Sequence, residues 1–208
     1  MPALRVPLAA PGTLTRQDLF PDARALWLEI GFGGGEHLVH QALANRDVGL
    51  IGCEPFVDGM AKALSAIDGQ GAANIRLHMD DARPVLAGLA PGSLERVFLL
   101  FPDPWPKVRQ HKRRLVQPGF LDLLAAALAP GGQVRFATDV RSYGDHALSV
   151  FLADGRFTWL AERAQDWRCP PADHVTTRYE AKRLGDIAPV WFDFAHAPSS
   201  APRRTKFT

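Results

Sequence analysis

A buried strand that runs into three closely spaced prolines constrains this chain more than any other stretch. Residues 97–101 form a continuous apolar run that favours β-structure, which predicts a fully buried strand. The three prolines of residues 102–106 then prevent both a helix and further strand pairing. Asp103 and Trp105 are therefore expected on a stiff turn just beyond the carboxyl end of the strand.

A run of basic residues follows this turn, from Lys107 to Arg114. In open α/β sheets ligands bind at the carboxyl ends of the strands, so the turn and the basic run together indicate a site for an anionic partner. A solvated basic face on a proline-rich turn is the weaker alternative. Trp105 either stacks on a base or packs against the protein, and the sequence leaves these two possibilities open.

A glycine loop near the beginning of the chain indicates a nucleoside site. Residues 25–30 predict a strand, residues 31–37 are glycine-rich, and residues 38–44 predict a helix, which is the first unit of a nucleoside-binding fold. Glu36 stands where the third glycine of the dinucleotide fingerprint belongs. Because Glu29 would repel a pyrophosphate but suits a cationic ligand, the loop favours S-adenosylmethionine over a nicotinamide dinucleotide.

Acidic residues recur at the carboxyl ends of the predicted strands 25–30, 48–54, 74–79, 93–101 and 133–138. In a parallel sheet these ends share one edge, so we expect a single cleft lined by Glu29, Glu54, Asp81, Asp103 and Asp139. Glu54 is placed to accept both hydroxyls of a ribose. One of the neighbours Asp80 and Asp81 is expected to face an adenine, and the other to cap the next helix.

The remaining elements are predicted from periodicity and from proline and glycine positions. Residues 161–174 lack a period and are predicted as a loop, and the Pro-Gly-Gly of residues 130–132 is predicted as a turn. Further helices are predicted over residues 15–20, 55–67, 82–89, 120–128 and 140–153, and further strands over residues 157–160 and 190–194.

Composition bounds the class of protein. The 208 residues, 47% apolar, suit one globular domain, with an arm at 1–25, a domain at 26–196 and a basic flexible tail at 197–208. The net charge of +2 makes the basic character local. Two cysteines fit a reducing compartment, and no apolar run approaches the roughly 20 residues needed to span a bilayer, so a cytoplasmic protein is expected. The scattered histidines predict no metal site.

Five segments together resemble the bacterial tRNA (guanine-N7)-methyltransferases over roughly residues 26–196: LEIGFGGGEH, FPDPWPK, RQHKRR, ATD and TRYE. The resemblance implies an α/β, Rossmann-like class I methyltransferase. It implies a three-layer αβα sandwich with a mainly parallel seven-stranded sheet and an antiparallel last strand. The implied donor is S-adenosylmethionine, and the implied acceptor is a guanine in the variable loop of tRNA, at tRNA position 46.

The resemblance also implies roles for individual residues, with Asp103 as the catalytic one. The implied donor site consists of Glu29, Gly31, Gly33, Glu54, Asp81 and Asp103. The implied substrate contacts are Lys107, Asp139, Thr177, Arg178, Tyr179 and Glu180. The implied RNA contacts are Arg109, Gln110, His111, Lys112, Arg113 and Arg114.

Three other interpretations compete with this one. An amino-group methyltransferase carries a similar strand-end turn, but here the order Pro102-Asp103-Pro104-Trp105 is shifted from that pattern. A non-catalytic tRNA-binding module could keep the fold, and a nicotinamide oxidoreductase is disfavoured by Glu36. The sequence leaves the oligomeric state open between monomer and homodimer.

Overall fold

A computed structural model of the chain describes residues 4–197, which build one seven-stranded sheet in the order β3-β2-β1-β4-β5-β7-β6. Strands β1 to β5 run in parallel, and β7 runs antiparallel between β5 and β6. The predicted mainly parallel sheet with an antiparallel last strand is confirmed. The strands are β1 Ala25–Ile30, β2 Val48–Cys53, β3 Ile75–His78, β4 Leu94–Leu100, β5 Leu128–Thr138, β6 Phe157–Trp159 and β7 Val190–His196.

Helices cover both faces of this sheet. They are α1 Arg16–Leu19, α2 Glu36–Ala44, α3 Val57–Gln70, α4 Arg83–Gly88, α5 Pro118–Ala127, α6 Arg141–Asp154, α7 Gln165–Arg168 and α8 Arg178–Ala181, with a 3-10 helix over Val108–Arg113. Side chains of β1 alternate between the two layers. Leu26 and Leu28 pack in the core that contains α4, α5 and α6, whereas Trp27 packs in the core that contains α2 and α3. A strand buried on both faces explains the continuous apolar runs of the sequence.

Element ends shift by one or two residues in several places, and three local differences have a clear physical cause. Helix α3 begins at Val57, because Phe56 is held extended (φ −92°, ψ 127°) while its N–H donates to a carboxylate. Strand β5 begins at Leu128, directly after α5, and the predicted Pro-Gly-Gly turn lies in an irregularity where the register with β4 shifts. The predicted loop 161–174 contains the single-turn helix α7, whose Asp166 accepts hydrogen bonds from the two preceding backbone N–H groups of Glu162 and Arg163.

The segment before β1, predicted as an arm, packs on the domain. Val6 and Leu14 are buried, and bridges join Arg5 to Leu77 and Leu14 to Leu89. These contacts pack Val6 and Leu14 into the main core, while many other side chains of the segment stay exposed. The predicted tail lies, apart from Ala197, outside the described residues. Every helix within residues 4–197 is too short or too polar to cross a membrane.

Arg114 fixes the proline-rich turn to the domain. Its side chain is 1% exposed, and its guanidinium donates to the carbonyl oxygen of Pro104 and to the carbonyl oxygen and Oγ of Ser142, each over 2.9 Å. The ring of Tyr143 lies 5.0 Å from the guanidinium carbon. The guanidinium of Arg114 is thus buried among acceptors of the protein itself, and its predicted RNA contact stays a prediction.

We expect Arg114→Ala to lower the free energy of unfolding by about 2–4 kcal/mol, since it leaves buried carbonyl groups unpaired and opens a cavity. The matched control is Lys112→Ala, which removes an exposed basic side chain from the same 3-10 helix and should change stability by less than about 0.5 kcal/mol. Urea unfolding measures both. Equal losses in the two variants would contradict the anchoring role.

Candidate active site

Two adjoining cavities lie at the carboxyl edge of β1, β2 and β4, with volumes of about 310 and 580 Å³. The first cavity extends towards Cys53 and the turn of residues 80–83, and the second towards the glycine loop and residues 177–179. Both cavities share lining residues, so they form two lobes of one site. The shared residues are Gly31, Glu54, Phe56, Phe101 and Asp103.

The glycine loop brings backbone to the wall of the second cavity. Gly31 and Gly33 have φ values of 74° and 54°, a left-handed backbone that side chains disfavour. On α3, Gly59 allows a close approach, because a Cβ there would lie 2.6 Å from the carbonyl oxygen of Gly33. The sequence-predicted positions Gly31 and Gly33 therefore both border the site.

Glu54 lines both cavities and binds backbone N–H groups of the segments that surround them. The residue is buried; its Oε2 accepts a hydrogen bond from the N–H of Gly33 over 2.8 Å, and its Oε1 accepts one from the N–H of Phe56 over 3.0 Å. Each carboxylate oxygen keeps a further lone pair, so Glu54 can still accept from a ligand.

Glu29 is the second buried acid of the site. It lines the second cavity, is only 3% exposed, and has its Oε2 2.7 Å from Nδ1 of His37. A buried carboxylate with one protein partner and one face on a cavity is suited to a cationic ligand group.

The neighbours Asp80 and Asp81 both line the first cavity. Asp81 Oδ1 accepts a hydrogen bond from the N–H of Arg83 over 2.8 Å, and its carboxylate also pairs with the Arg83 guanidinium. Asp81 thus caps the start of α4 while bordering the cavity, and Asp80 bonds only to the next backbone N–H among the described residues. The structure assigns the capping role to Asp81 and leaves the carboxylate of Asp80 at the rim.

Asp103 lies at the junction of the two cavities. It is exposed, and it makes no hydrogen bond or ion pair with any residue in the described part of the chain. The turn that presents it is strained, because Phe101 and Trp105 have φ values of 52° and 44°. The indole of Trp105 borders the first cavity and packs under the guanidinium of Arg113 at 4.9 Å.

The segment 177–180 forms one wall of the second cavity. Thr177 is the N-cap of α8, and Thr177, Arg178 and Tyr179 all line the cavity. Arg178 Nε lies 2.7 Å from a carboxylate oxygen of Glu36, which connects this wall to the glycine loop.

Glu180 lines neither of the two cavities, and its predicted substrate contact stays a prediction. Its carboxylate accepts from the N–H of Thr177 over 2.9 Å and lies 2.9 Å from Nε2 of His174. Burial pushes the pKa of Glu180 upwards, but the bonds from His174 and Thr177 outweigh it and hold the pKa below its usual value. The carboxylate is therefore engaged in fixing the segment.

Asp139 lines a separate neighbouring cavity together with Glu180. Asp139 is buried, and its Oδ1 lies 3.4 Å from the hydroxyl of Tyr179. Burial and then the charge of Asp139 raise the pKa of that hydroxyl. Asp139 is absent from the lining of the two cavities and is joined to them by its contact with Tyr179, so its predicted substrate contact stays a prediction.

The basic run lies outside the two cavities except for Arg113. Lys107, Arg109, Lys112 and Arg113 are exposed, with the last three on the 3-10 helix. Gln110 and His111 on the same helix are half-buried.

Two lysines of the second cavity were missed by the sequence analysis, Lys62 and Lys182. Lys62 follows Gly59 by one helical turn, so it lies on the same face of α3, and that spacing was the available signal. Lys182 lies four residues beyond Arg178. No group of three or more His, Cys, Asp or Glu residues within the described range could hold a metal ion.

Comparison with known proteins identifies the family. Residues 23–191 match a family described as "Putative methyltransferase". The chain is 60% identical to the tRNA (guanine-N(7)-)-methyltransferase of Hyphomonas neptunium over 88% of this chain and 84% of the relative. It is 50% identical to the protein of the same name from Rhodospirillum rubrum, over 97% of this chain and 81% of the relative.

Solved structures with low sequence identity share the fold. An rRNA methylase from Streptococcus thermophilus is 11% identical with a TM-score of 0.58, covering 85% of this chain and 89% of its own. A 16S rRNA (adenine(1408)-N(1))-methyltransferase from Catenulisporales acidiphilia, solved with cosubstrate SAM, is 18% identical with a TM-score of 0.55, covering 88% and 90%. With the sequence matches above, this chain belongs to the tRNA (guanine-N7)-methyltransferase family.

Proposed function

We propose that this chain transfers a methyl group from S-adenosylmethionine to N7 of a guanine in the variable loop of tRNA, at tRNA position 46, forming 7-methylguanosine. The observation that carries the proposal is Asp103, an exposed carboxylate without a partner among the described residues, at the junction of two cavities. The names of the relatives supply the acceptor base and the class of RNA.

The lining residues fit S-adenosylmethionine. The first cavity offers Ile30, Cys53 and Ala82 as apolar surface for an adenine. Glu54, between the cavities, is suited to the ribose hydroxyls, and Glu29 in the second cavity is suited to the positive end of the methionine group. When bound, this donor supplies a methyl group carried on a positively charged sulfur.

The chemistry requires no general base. Guanine N7 carries a lone pair and no hydrogen, so no residue of the chain has to remove a proton. Positive charge develops on the purine as it is methylated. The carboxylate of Asp103 can accept hydrogen bonds from the N1–H and the amino group of the guanine, which orients the ring and stabilises that charge.

The exposed basic side chains are suited to the RNA backbone. Arg109, Lys112 and Arg113 project from the 3-10 helix that directly follows the Asp103 turn. Phosphates bound there would lie next to the transfer site. The proposal includes a cytoplasmic location, because the free thiols Cys53 and Cys169 suit a reducing compartment.

We expect Asp103→Ala to lower kcat for methylation of unmodified tRNA by about 100–1000-fold, the usual effect of removing one group that stabilises transition-state charge. Donor binding should persist, since Glu29 and Glu54 remain. Initial rates with labelled donor measure kcat, and borohydride reduction with aniline cleavage locates 7-methylguanosine in the RNA.

The control for that experiment is Asp145→Ala, which removes an exposed carboxylate from α6 and should leave kcat unchanged. Label in RNA without cleavage in the variable loop would contradict the N7 assignment. Full activity of the Asp103→Ala protein would contradict the catalytic role.

We expect the double substitution Lys112→Ala with Arg113→Ala to weaken tRNA binding and flatten its salt dependence. Each lost phosphate contact should reduce the slope of log K against log salt by about 0.7–0.9. The control is Arg46→Ala, an exposed charge after α2, at the amino end of β2 and opposite the cavities. An unchanged slope in the double variant would exclude these side chains from RNA binding.

A further inference from the structure

One face of the sheet carries a group of polar side chains, here called the polar floor, within an otherwise apolar surface. Glu29 of β1, Arg96 of β4, Arg135 of β5 and Asp193 of β7 share this face with the buried aromatic side chain of Phe98. The loop between β6 and α8 docks on this floor through ion pairs. Arg135 bonds both Asp193, over 2.8 Å, and Asp173 of the loop, over 2.6 Å.

The chain of polar contacts begins in the donor lobe of the site. His37 is fully buried, and its Nδ1 lies 2.7 Å from Glu29 while its ring packs edge-on against Phe98. On the other side of the ring, His37 Nε2 lies 3.2 Å from Nε2 of Gln41. That amide nitrogen also donates to the carbonyl oxygen of Asp173 over 2.7 Å.

These contacts select one tautomer of His37. The Gln41 nitrogen is a donor, because it faces a carbonyl oxygen, so His37 Nε2 must accept its second hydrogen. The proton of the imidazole then lies on Nδ1 and is donated to Glu29. His37 Nδ1 therefore holds one oxygen of the carboxylate that lines the second cavity.

The same loop continues into the acceptor wall. Arg96 and Arg135 hold the carboxylate of Asp173, over 3.0 and 2.6 Å. The next residue, His174, has its ring 5.8 Å from that of His37, and its Nε2 lies 2.9 Å from the carboxylate of Glu180. Glu180 closes the capping box that orients the helix carrying Tyr179.

We propose that His37 and His174 are positioning residues for methyl transfer. His37 orients Glu29 towards the donor, and His174 orients Glu180 and thereby the acceptor wall of residues 177–179. Gln41 and Asp173 connect the two histidines, and Asp173 is bound to the sheet. The positions of both halves of the site therefore depend on the same ion pairs. This inference rests on the proposed function and assigns it two further residues.

The polarity of this cluster argues against a role in stability alone. A buried polar cluster is often no more stabilising than well-packed apolar side chains of the same volume. Its hydrogen bonds are directional, so they hold a carboxylate in one orientation. Apolar packing would leave the carboxylate free to rotate. Glu29 borders the cavity in which the transfer is proposed to occur, and Glu180 orients the segment that forms one wall of that cavity.

Paired variants test the two roles. His37→Leu should raise the Kd for S-adenosylmethionine about tenfold, the effect of losing one hydrogen bond to a charged group. In His37→Asn an amide nitrogen takes the place of Nδ1 and should restore the Kd to within about threefold. His174→Leu should raise the KM for tRNA about tenfold with the donor Kd unchanged, and His174→Gln, whose nitrogen replaces Nε2, should restore it.

Calorimetry without RNA measures the donor Kd, initial rates measure the KM, and thermal unfolding is followed in parallel. Lowered melting temperature with unchanged Kd and KM, or equal losses in the leucine and amide variants, would overturn the inference. Because the wild type is measured in the same assays, absence of its donor binding or methylation would contradict the proposed function instead. Selective losses with rescue by the amide variants support both positioning roles.

Discussion

The position of the exposed carboxylate depends on a single buried guanidinium. Arg114 holds the carbonyl of Pro104 against the start of α6, and the N–H of Phe101 bonds the carbonyl of Ala137 on β5 over 2.8 Å. At Phe101 and at Trp105, directly after Pro104, the backbone is left-handed, which is unfavourable unless the surroundings impose it. The strain is therefore sustained by the anchors, and its consequence is that Asp103 projects where the two cavities meet.

The acids of the site divide into two kinds by what they contact. Glu29 and Glu54 are buried and bonded to protein donors, so their orientation is fixed before any ligand arrives. Asp103 has no such partner among the described residues and keeps all its acceptor capacity. Buried carboxylates that border a cavity are suited to a cationic ligand group. The arrangement thus favours a positive donor and leaves one acid for the acceptor.

Features set by local sequence were predictable, and features set by distant contacts were not. The strand, glycine loop and helix of residues 25–44 follow from spacing and from glycine alone, and Asp103 follows from the strand end before it. The burial of Arg114 depends on Ser142, 28 residues away, and a run of basic residues looks alike whether or not one member turns inwards. Gln41 meets Asp173 across 132 residues, and no period or motif marks that pair.

The polar floor fixes the position of the loop that leads into the acceptor wall. Apolar packing stabilises a segment in several registers of similar energy, whereas ion pairs and hydrogen bonds have defined partners. Asp173 contacts two arginines on neighbouring strands, which leaves the loop one position on the sheet. Methyl transfer between two bound molecules is sensitive to misplacement of about 1 Å. Fixing the position of the acceptor wall therefore favours the reaction. The loop between β6 and α8 is then as much a part of the site as the strand ends that the sequence reveals.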